Sequence, residues 1–300
     1  METNPNIQII DLNFQGIDHA IACFLVQKND NHLLIETGPH SSIEALEVGL
    51  KGCDIGLKDL SQALLTHIHL DHAGAAWALA ENGTNIYLHP AGKSHLHNPE
   101  KLMNSARRIY KDKMDELWGA MKDIQESQLI EVNDYQTLSF GDIRIKALHT
   151  PGHAIHHISW VYEDCIFTGD VGGVKIANNR VVPPCPPPDI NIEDWVESIE
   201  KIKNEKPEWL YLTHFGVVDQ IDTHFEELEE ILWDWANWMK PKYESQAKPE
   251  EVVEEFQNYV AGQLRNRGAT EKEILQYETA NPSWMSVSGL LRYWRKKLEN

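Results

Sequence analysis

Residues Thr66 to Gly74 read THIHLDHAG, which places His67, His69, Asp71 and His72 within six consecutive positions. The flanks say where such a loop sits. QALLT before it is a short apolar run of the kind that forms a buried strand, and AGAAWALAEN after it has the periodicity of a helix, so the four side chains belong to a strand-to-helix turn. In an extended segment alternate side chains share a face; His67, His69 and Asp71 are therefore expected to point together, with His72 entering from the start of the helix. Imidazole and carboxylate in one loop suit a catalytic zinc or iron site better than a calcium or magnesium site. A histidine-rich surface turn is the competing reading, and the density of ligands at a strand end disfavours it.

Three further stretches place a polar residue where an apolar extended run stops: HTPGH ending at His153, FTGD ending at Asp170, and YLTHFG containing His214. Taken singly, each reads equally as a structural residue, namely a histidine before a helix, an aspartate capping a turn and a core histidine. All three could meet at one sheet edge. With the first loop they make seven candidate ligands, enough for two metals sharing a bridging carboxylate.

The rest of the chain frames these stretches. At 300 residues, one large domain with a smaller appendage is expected. IQIIDL, IACFLV and HLLIE read as strands and a hairpin, and Ser41 with Glu44 three residues later predicts a capping box ahead of a helix. Residues 99–125 read as a helical insertion, and VVPPCPPPD as a stiff loop, because proline lacks the amide donor of helix or central strand. Trp195, Ile199 and Ile202 share one helical face. Beyond His224 three helical stripes follow: Leu228, Ile231, Leu232 and Trp235; Val252, Phe256 and Val260; Trp284, Val287, Leu291 and Trp294. The expected division is therefore a catalytic domain over 1–224 and a helical region over 225–300, with the tryptophans of the latter fixing it to the main body.

A net charge of −19 opposes binding to long polyanions, so nucleic acid is not expected as a partner. Cys23, Cys53, Cys165 and Cys185 form no C-x-x-C pair and read as free thiols. METNPNIQII lacks the basic start and apolar run of a secretory signal, and no stretch is long enough to span a membrane; a cytoplasmic protein acting on a small molecule is expected, with a homodimer possible and no membrane partner.

Together the histidine loop, His153, Asp170 and His214 resemble the metallo-β-lactamase fold superfamily, specifically its dinuclear hydrolases of the glyoxalase II and lactonase type, over about residues 7 to 220. The resemblance implies an α/β (α+β) fold, an αββα sandwich of two mixed β-sheets with outer helices, here with a C-terminal helical extension. It implies that His67, His69 and His153 bind one metal, that Asp71, His72 and His214 bind the other, and that Asp170 bridges them. Two zinc ions are the expected cofactors, with iron or manganese as alternatives. The implied activity is hydrolysis of an ester, thioester or lactone by a hydroxide bridging the metals, with Asp71 orienting the nucleophile and passing its proton to the leaving group. His157 is expected to support the ligands from behind, His156 to face solvent, and Lys175 and Cys185 to belong to the pocket, Cys185 as a lining side chain at its mouth; for His19 and His224 a structural role is favoured. The chain departs from the family pattern in having ETGP at Glu36 to Pro39 where Asp-Thr-Gly-Pro is common, and in having no tyrosine in GDVGGVKIANN after Asp170, where lactonases of the fold place one. Two other functions compete: a mononuclear iron persulfide dioxygenase, which relatives on this fold build from the same motifs, and a non-catalytic metal-binding protein.

Overall fold

The structure, a computed structural model, describes residues 4–299, which divide into two compact units. The first holds residues 4–149 and His156–Phe167. Its strands β1 (Ile7–Asp11), β2 (Ala22–Lys28) and β3 (Asn31–Ile35) form an antiparallel meander. The sheet continues through β4 (Gln62–Leu64), β5 (Asn85–Leu88) and β6 (Leu129–Glu131), all paired in parallel. Parallel neighbours need crossover connections, and those crossovers carry the helices. Helix α1 (Ile43–Lys51) lies between β3 and β4, and α2 (Leu70–Ala73) and α3 (Ala76–Glu81) between β4 and β5. Helices α4 (Pro90–His97), α5 (Glu100–Tyr110) and α6 (Met114–Trp118) lie between β5 and β6.

Four strands of a second sheet follow as an antiparallel meander: β7 (Thr137–Phe140), β8 (Ile143–His149), β9 (Ile158–Tyr162) and β10 (Cys165–Phe167). The two sheets face each other across an aromatic core. Phe24 of β2 packs on Phe167 of β10 with ring centroids 5.1 Å apart, and both are fully buried. Trp160 of β9 is also buried and donates its indole N–H to the carbonyl of Leu65, 3.0 Å away, just past β4. Burying each such ring contributes roughly 2–3 kcal/mol, and the buried indole keeps a partner for its one donor.

The second unit holds Thr150–Ile155 and residues 168–299. Helix α7 (Ile192–Asn204) buries Trp195, Ile199 and Ile202 as its periodicity demands, and begins where the Asn191 side chain caps Asp194 N. Strands β11 (Trp209–Leu212) and β12 (Gly216–Val218) pair as a hairpin. Four helices complete the unit: α8 (Ile221–Glu244), α9 (Pro249–Asn266), α10 (Glu271–Ala280) and α11 (Ser283–Glu299). The stripes expected on α8 and α9 are buried. On α11 the buried side runs through Val287, Leu290, Tyr293 and Trp294, one position away from the expected Leu291. Trp235 and Trp294 are buried between helices of this region, Trp235 against Phe256 of α9 and Trp294 donating to Ala236 O of α8 at 2.6 Å. Among the described residues no helix is long and apolar enough to cross a membrane.

Two local expectations are corrected. Ser41 does not cap α1, which starts at Ile43 with no side-chain cap; its hydroxyl donates instead to Leu117 O at 2.5 Å, tying the start of α1 to the end of the insertion. Asp71 is not part of the extended run. His69 is the N-cap of α2, so Asp71 and His72 lie in the first helical turn and leave the loop in a different direction from His67 and His69.

His224 takes the structural role expected for it. It is buried on α8 with Nε2 2.8 Å from Gly172 O, and its Nδ1 has no hydrogen-bond partner among the described residues. Protonating Nδ1 would bury an unpaired charge, and desolvation accordingly pushes the imidazole pKa down to about 4. An unfolded chain takes up that proton near pH 6.5, so the stability tied to a neutral His224 is present above pH 6.5 and lost as pH falls toward 4. Between pH 7 and pH 4 the wild type should lose on the order of 2 kcal/mol more stability than His224→Gln, from this one linkage. Urea unfolding of both proteins at the two pH values checks it.

Candidate metal centre

Each unit carries one set of donors. In the first, the strand register builds the site. Parallel pairing of β3 with β4 sets Ile35 opposite Leu64, and the ladder runs on through Glu36 N donating to Leu64 O at 3.0 Å. Glu36 and Thr66 therefore leave adjacent strand ends side by side. Glu36 adopts a left-handed φ of 64° and is fully buried. Its carboxylate accepts from the Thr66 hydroxyl, from Thr66 N at 3.3 Å and from His72 Nδ1 at 2.9 Å. Because the Thr66 hydroxyl has one hydrogen and gives it to Glu36, it acts as acceptor toward His67 Nδ1, 3.0 Å away. One carboxylate thus sets the tautomer of two histidines, and in both the Nε2 lone pair faces away from the support.

The Thr37–Gly38 turn fixes the backbone of the same loop. Thr37 N, Gly38 N and the Thr37 hydroxyl all donate to His72 O, at 2.9, 3.1 and 2.9 Å. At Gly74 a Cβ would stand 2.4 Å from Leu70 O and 3.0 Å from Pro39 Cα, so glycine alone permits the approach of α2 to this turn. Where the family pattern has Asp-Thr-Gly-Pro, the glutamate here reaches Thr66 and His72.

The donor atoms converge. His67 Nε2 lies 2.9 Å from His69 Nδ1, and His72 Nε2 lies 3.7 Å from Asp71 Oδ2. In the second unit His153 Nε2 stands 3.2 Å from Asp170 Oδ2, and His214 Nε2 3.3 Å from Asp170 Oδ1. Ligands about 2.0–2.1 Å from a tetrahedral zinc ion are about 3.3–3.4 Å from one another; the two spacings around Asp170 match that value and the other two bracket it. The donor set, imidazole nitrogen with carboxylate oxygen, fits zinc. His153, His214 and Asp170 are buried, and Nδ1 of His153 meets Pro184 O at 2.9 Å, which leaves Nε2 for an ion. Gly152, at a φ of 130°, allows the tight path into His153: a Cβ there would meet Trp195 Cα at 2.3 Å.

Of the supporting residues, His157 is fully buried with its ring 5.2 Å from that of His67. His156 does not face solvent as expected. It is buried with its ring 6.1 Å from His67 and 5.7 Å from His69, because Ile158 N donates to Thr66 O at 2.7 Å and draws the whole stretch against the histidine loop. Lys175 is half-buried, and its backbone N–H donates to His214 O at 2.7 Å; burial lowers its amine pKa against the pull of Glu227 and Asp219. Cys185 does not line a pocket mouth. It is fully buried beneath α11, where its backbone packs on Gly289, and burial pushes its thiol far above the ordinary range. Glu36 and Thr66 were not among the expected site residues. Their signal was present as an acid before Thr-Gly-Pro and a hydroxyl before the first histidine, and it acquires meaning only through the β3–β4 register.

Glu36→Gln retains size and loses the charge that orients His67 and His72. Its zinc affinity should fall about 10–100-fold, as for other residues that hold metal ligands from behind, and competition with a chelator measures the change.

A sequence model of the metallo-β-lactamase superfamily matches residues 16–214. A metallo-β-lactamase fold-containing protein of Sulfurisphaera tokodaii is 31% identical over 178 residues, covering 57% of this chain and 67% of that one. A probable polyketide biosynthesis zinc-dependent hydrolase of Bacillus subtilis is 23% identical, covering 68% of this chain and 76% of that one. The crystal structure of a metallo-β-lactamase family protein of Thermus thermophilus superposes with a TM-score of 0.66 at 19% identity, covering 98% of this chain and 94% of that one, a likeness of fold. By family match, fold and donor set, the chain belongs to the metallo-β-lactamase superfamily, as a metal-binding hydrolase.

Proposed function

We propose that the chain hydrolyses a carboxylic ester, thioester or lactone with a dinuclear zinc centre. In this reading His67, His69 and His153 hold one ion, Asp71, His72 and His214 the other, and Asp170 bridges the pair. The observation that carries it is the placement of Asp170: its two carboxylate oxygens each face a different imidazole, at 3.2 and 3.3 Å, as a carboxylate shared between two ions requires. Family membership supports the grouping.

Two zinc ions so held would supply a hydroxide nucleophile at neutral pH and polarise the carbonyl under attack. The chain's own residues do the rest. Glu36, directly for His72 and through Thr66 for His67, and the Pro184 carbonyl for His153 engage Nδ1 and leave Nε2 aimed at the ion. Asp71 is the donor-set member of the first unit that keeps a partly exposed carboxylate, with 21% of its side chain accessible. Such a group can orient the nucleophile and carry a proton to the departing alkoxide or thiolate. No cysteine competes as nucleophile: Cys23, Cys165 and Cys185 are buried with thiol pKa values raised by desolvation, and Cys53, partly buried, is raised as well.

Metal analysis and a panel of esters, thioesters and lactones test this reading. The wild type should carry two zinc ions per chain, and Asp170→Ala should lose one or both and fall at least about 100-fold in kcat/KM, about 2.7 kcal/mol in the barrier. One tightly bound iron, no second metal and oxygen uptake with a persulfide would replace it with the dioxygenase.

A further inference from the structure

The outer strand of the first sheet is open. β1 pairs with β2 on one side, and among the described residues no strand lies on its other side. Leu12 N donates to Ile21 O at 2.9 Å and Gln27 N to Asn6 O at 2.8 Å, and an antiparallel ladder alternates bonded with unbonded pairs. Gln8 and Ile10 are therefore the residues bonded to β2, while Ile7, Ile9 and Asp11 turn their N–H and C=O groups to the free edge. Asn4 O takes the Ile7 N–H at 3.1 Å, and the backbone groups of Ile9 and Asp11 have no hydrogen-bond partner among the described residues. Exposed sheet edges are usually blunted by lysine, proline or a bulge. The sequence IQIID has none of these, and its register with β2 is unbroken. Its one charge, Asp11, is folded back onto its own loop by Asn13 N at 3.0 Å and His19 N at 2.8 Å.

Helix α1 flanks this edge. Gly49 lets it lie against β1, because a Cβ there would stand 2.2 Å from Ile10 Cγ2. A groove of about 480 Å³ between strand and helix holds Ile9, 37% exposed, and Val48, which at 69% is the most exposed large apolar side chain among the described residues. Glu44, Val48 and Lys51, at spacings of four and three, share one face of α1. Glu44 and Lys51 are exposed and make no ion pair among the described residues. Along the helix this face is acid, apolar, base, an order that complements itself when a second such helix runs antiparallel to it.

We propose that β1 and α1 form a homodimer interface, with a second copy of this chain as the occupant of the groove. A two-fold axis beside Ile9 pairs β1 antiparallel with the partner's β1 and joins the two sheets into one. Ile9 N–H donates to the carbonyl of the partner's Ile9, and Asp11 N–H to the carbonyl of the partner's Ile7, each in both directions. The same axis sets α1 antiparallel to the partner's α1 on one side of the joined sheet. Val48 then meets the partner's Val48, and Glu44 meets the partner's Lys51. Hydrogen-bonding pattern, apolar centre and order of charge all agree on this one symmetric arrangement. That agreement points to a copy of this chain, since a strand of another protein would satisfy the edge alone.

Sedimentation equilibrium of the zinc-loaded protein measures the dimer, with zinc content as the control for folding. Val48→Lys, which sets two like charges at the axis, should raise the dissociation constant at least about tenfold, equivalent to about 1.4 kcal/mol. Glu44→Lys and Lys51→Glu should each raise it about fivefold, because every substitution counts twice across the axis. The double variant Glu44→Lys/Lys51→Glu should return to within about twofold of wild type, although both exchanges oppose the helix dipole, a recovery that a loss of helix stability would not show. Amide exchange gives a second reading. The Ile9 and Asp11 amides should be slowed in the dimer, while those of Gln8 and Ile10, bonded to β2, should exchange alike in monomer and dimer. A wild type that is monomeric at every concentration overturns the proposal, as does a dimer indifferent to these substitutions, a double variant no tighter than the single ones, or Ile9 and Asp11 amides that exchange alike in monomer and dimer.

Discussion

The buried carboxylate of Glu36 is the interaction on which the first set of metal donors depends. An ionised carboxylate removed from water costs several kcal/mol unless its oxygens are satisfied, and here Thr66 N, the Thr66 hydroxyl and His72 Nδ1 satisfy them. The benefit runs the other way as well. Each of those donors is fixed in direction by meeting a charge, so His72 directly, and His67 through Thr66, are oriented before any ion arrives. The arrangement follows from sheet register. Ile35 opposite Leu64 puts the side chains of Glu36 and Thr66 within reach of each other, and a slip of one residue would turn one of the two away. The ligands are therefore as rigid as the parallel pairing of β3 and β4 that supports them.

Much of this was legible in the chain because the relevant signals are local. A strand-to-helix turn bearing four ligands, a glycine before His153, and apolar runs ending at Asp170 and His214 are properties of short segments, and all seven candidate ligands sit in donor sets with coordination-like spacings. The stripes of α7, α8 and α9 were equally local, since helical periodicity needs no knowledge of the partner surface. What escaped was set by contacts distant in sequence. Glu36 meets residues thirty and more positions away. Ser41 has the local pattern of a cap, yet Leu117 offers its hydroxyl an acceptor that only tertiary packing brings near. His156 looked exposed because the stretch from His153 to His157 gives no sign that Ile158 will bond to Thr66.

The proline-rich loop shows how the C-terminal helices bear on the chemistry although none of them provides a proposed ligand. Proline has no amide donor, so this loop cannot be held by a ladder of its own and must be fastened by side chains. Asn281 donates to Pro183 O at 3.1 Å, Ser286 accepts from Cys185 N at 3.3 Å, and Ser286 in turn donates to Asn281 at 3.1 Å. Gly289 lets α11 lie against the loop, since a Cβ there would stand 1.9 Å from Cys185 O. Between these fastenings lies Pro184, whose carbonyl accepts from His153 Nδ1. The orientation of one proposed zinc ligand is thus set by the last two helices, some 130 residues later in the chain, and the burial of Cys185 is a by-product of that fastening rather than a sign of reactivity. A helical extension of this kind supports the metal site from behind, here at the Pro184 carbonyl, whatever part its other surfaces take in binding.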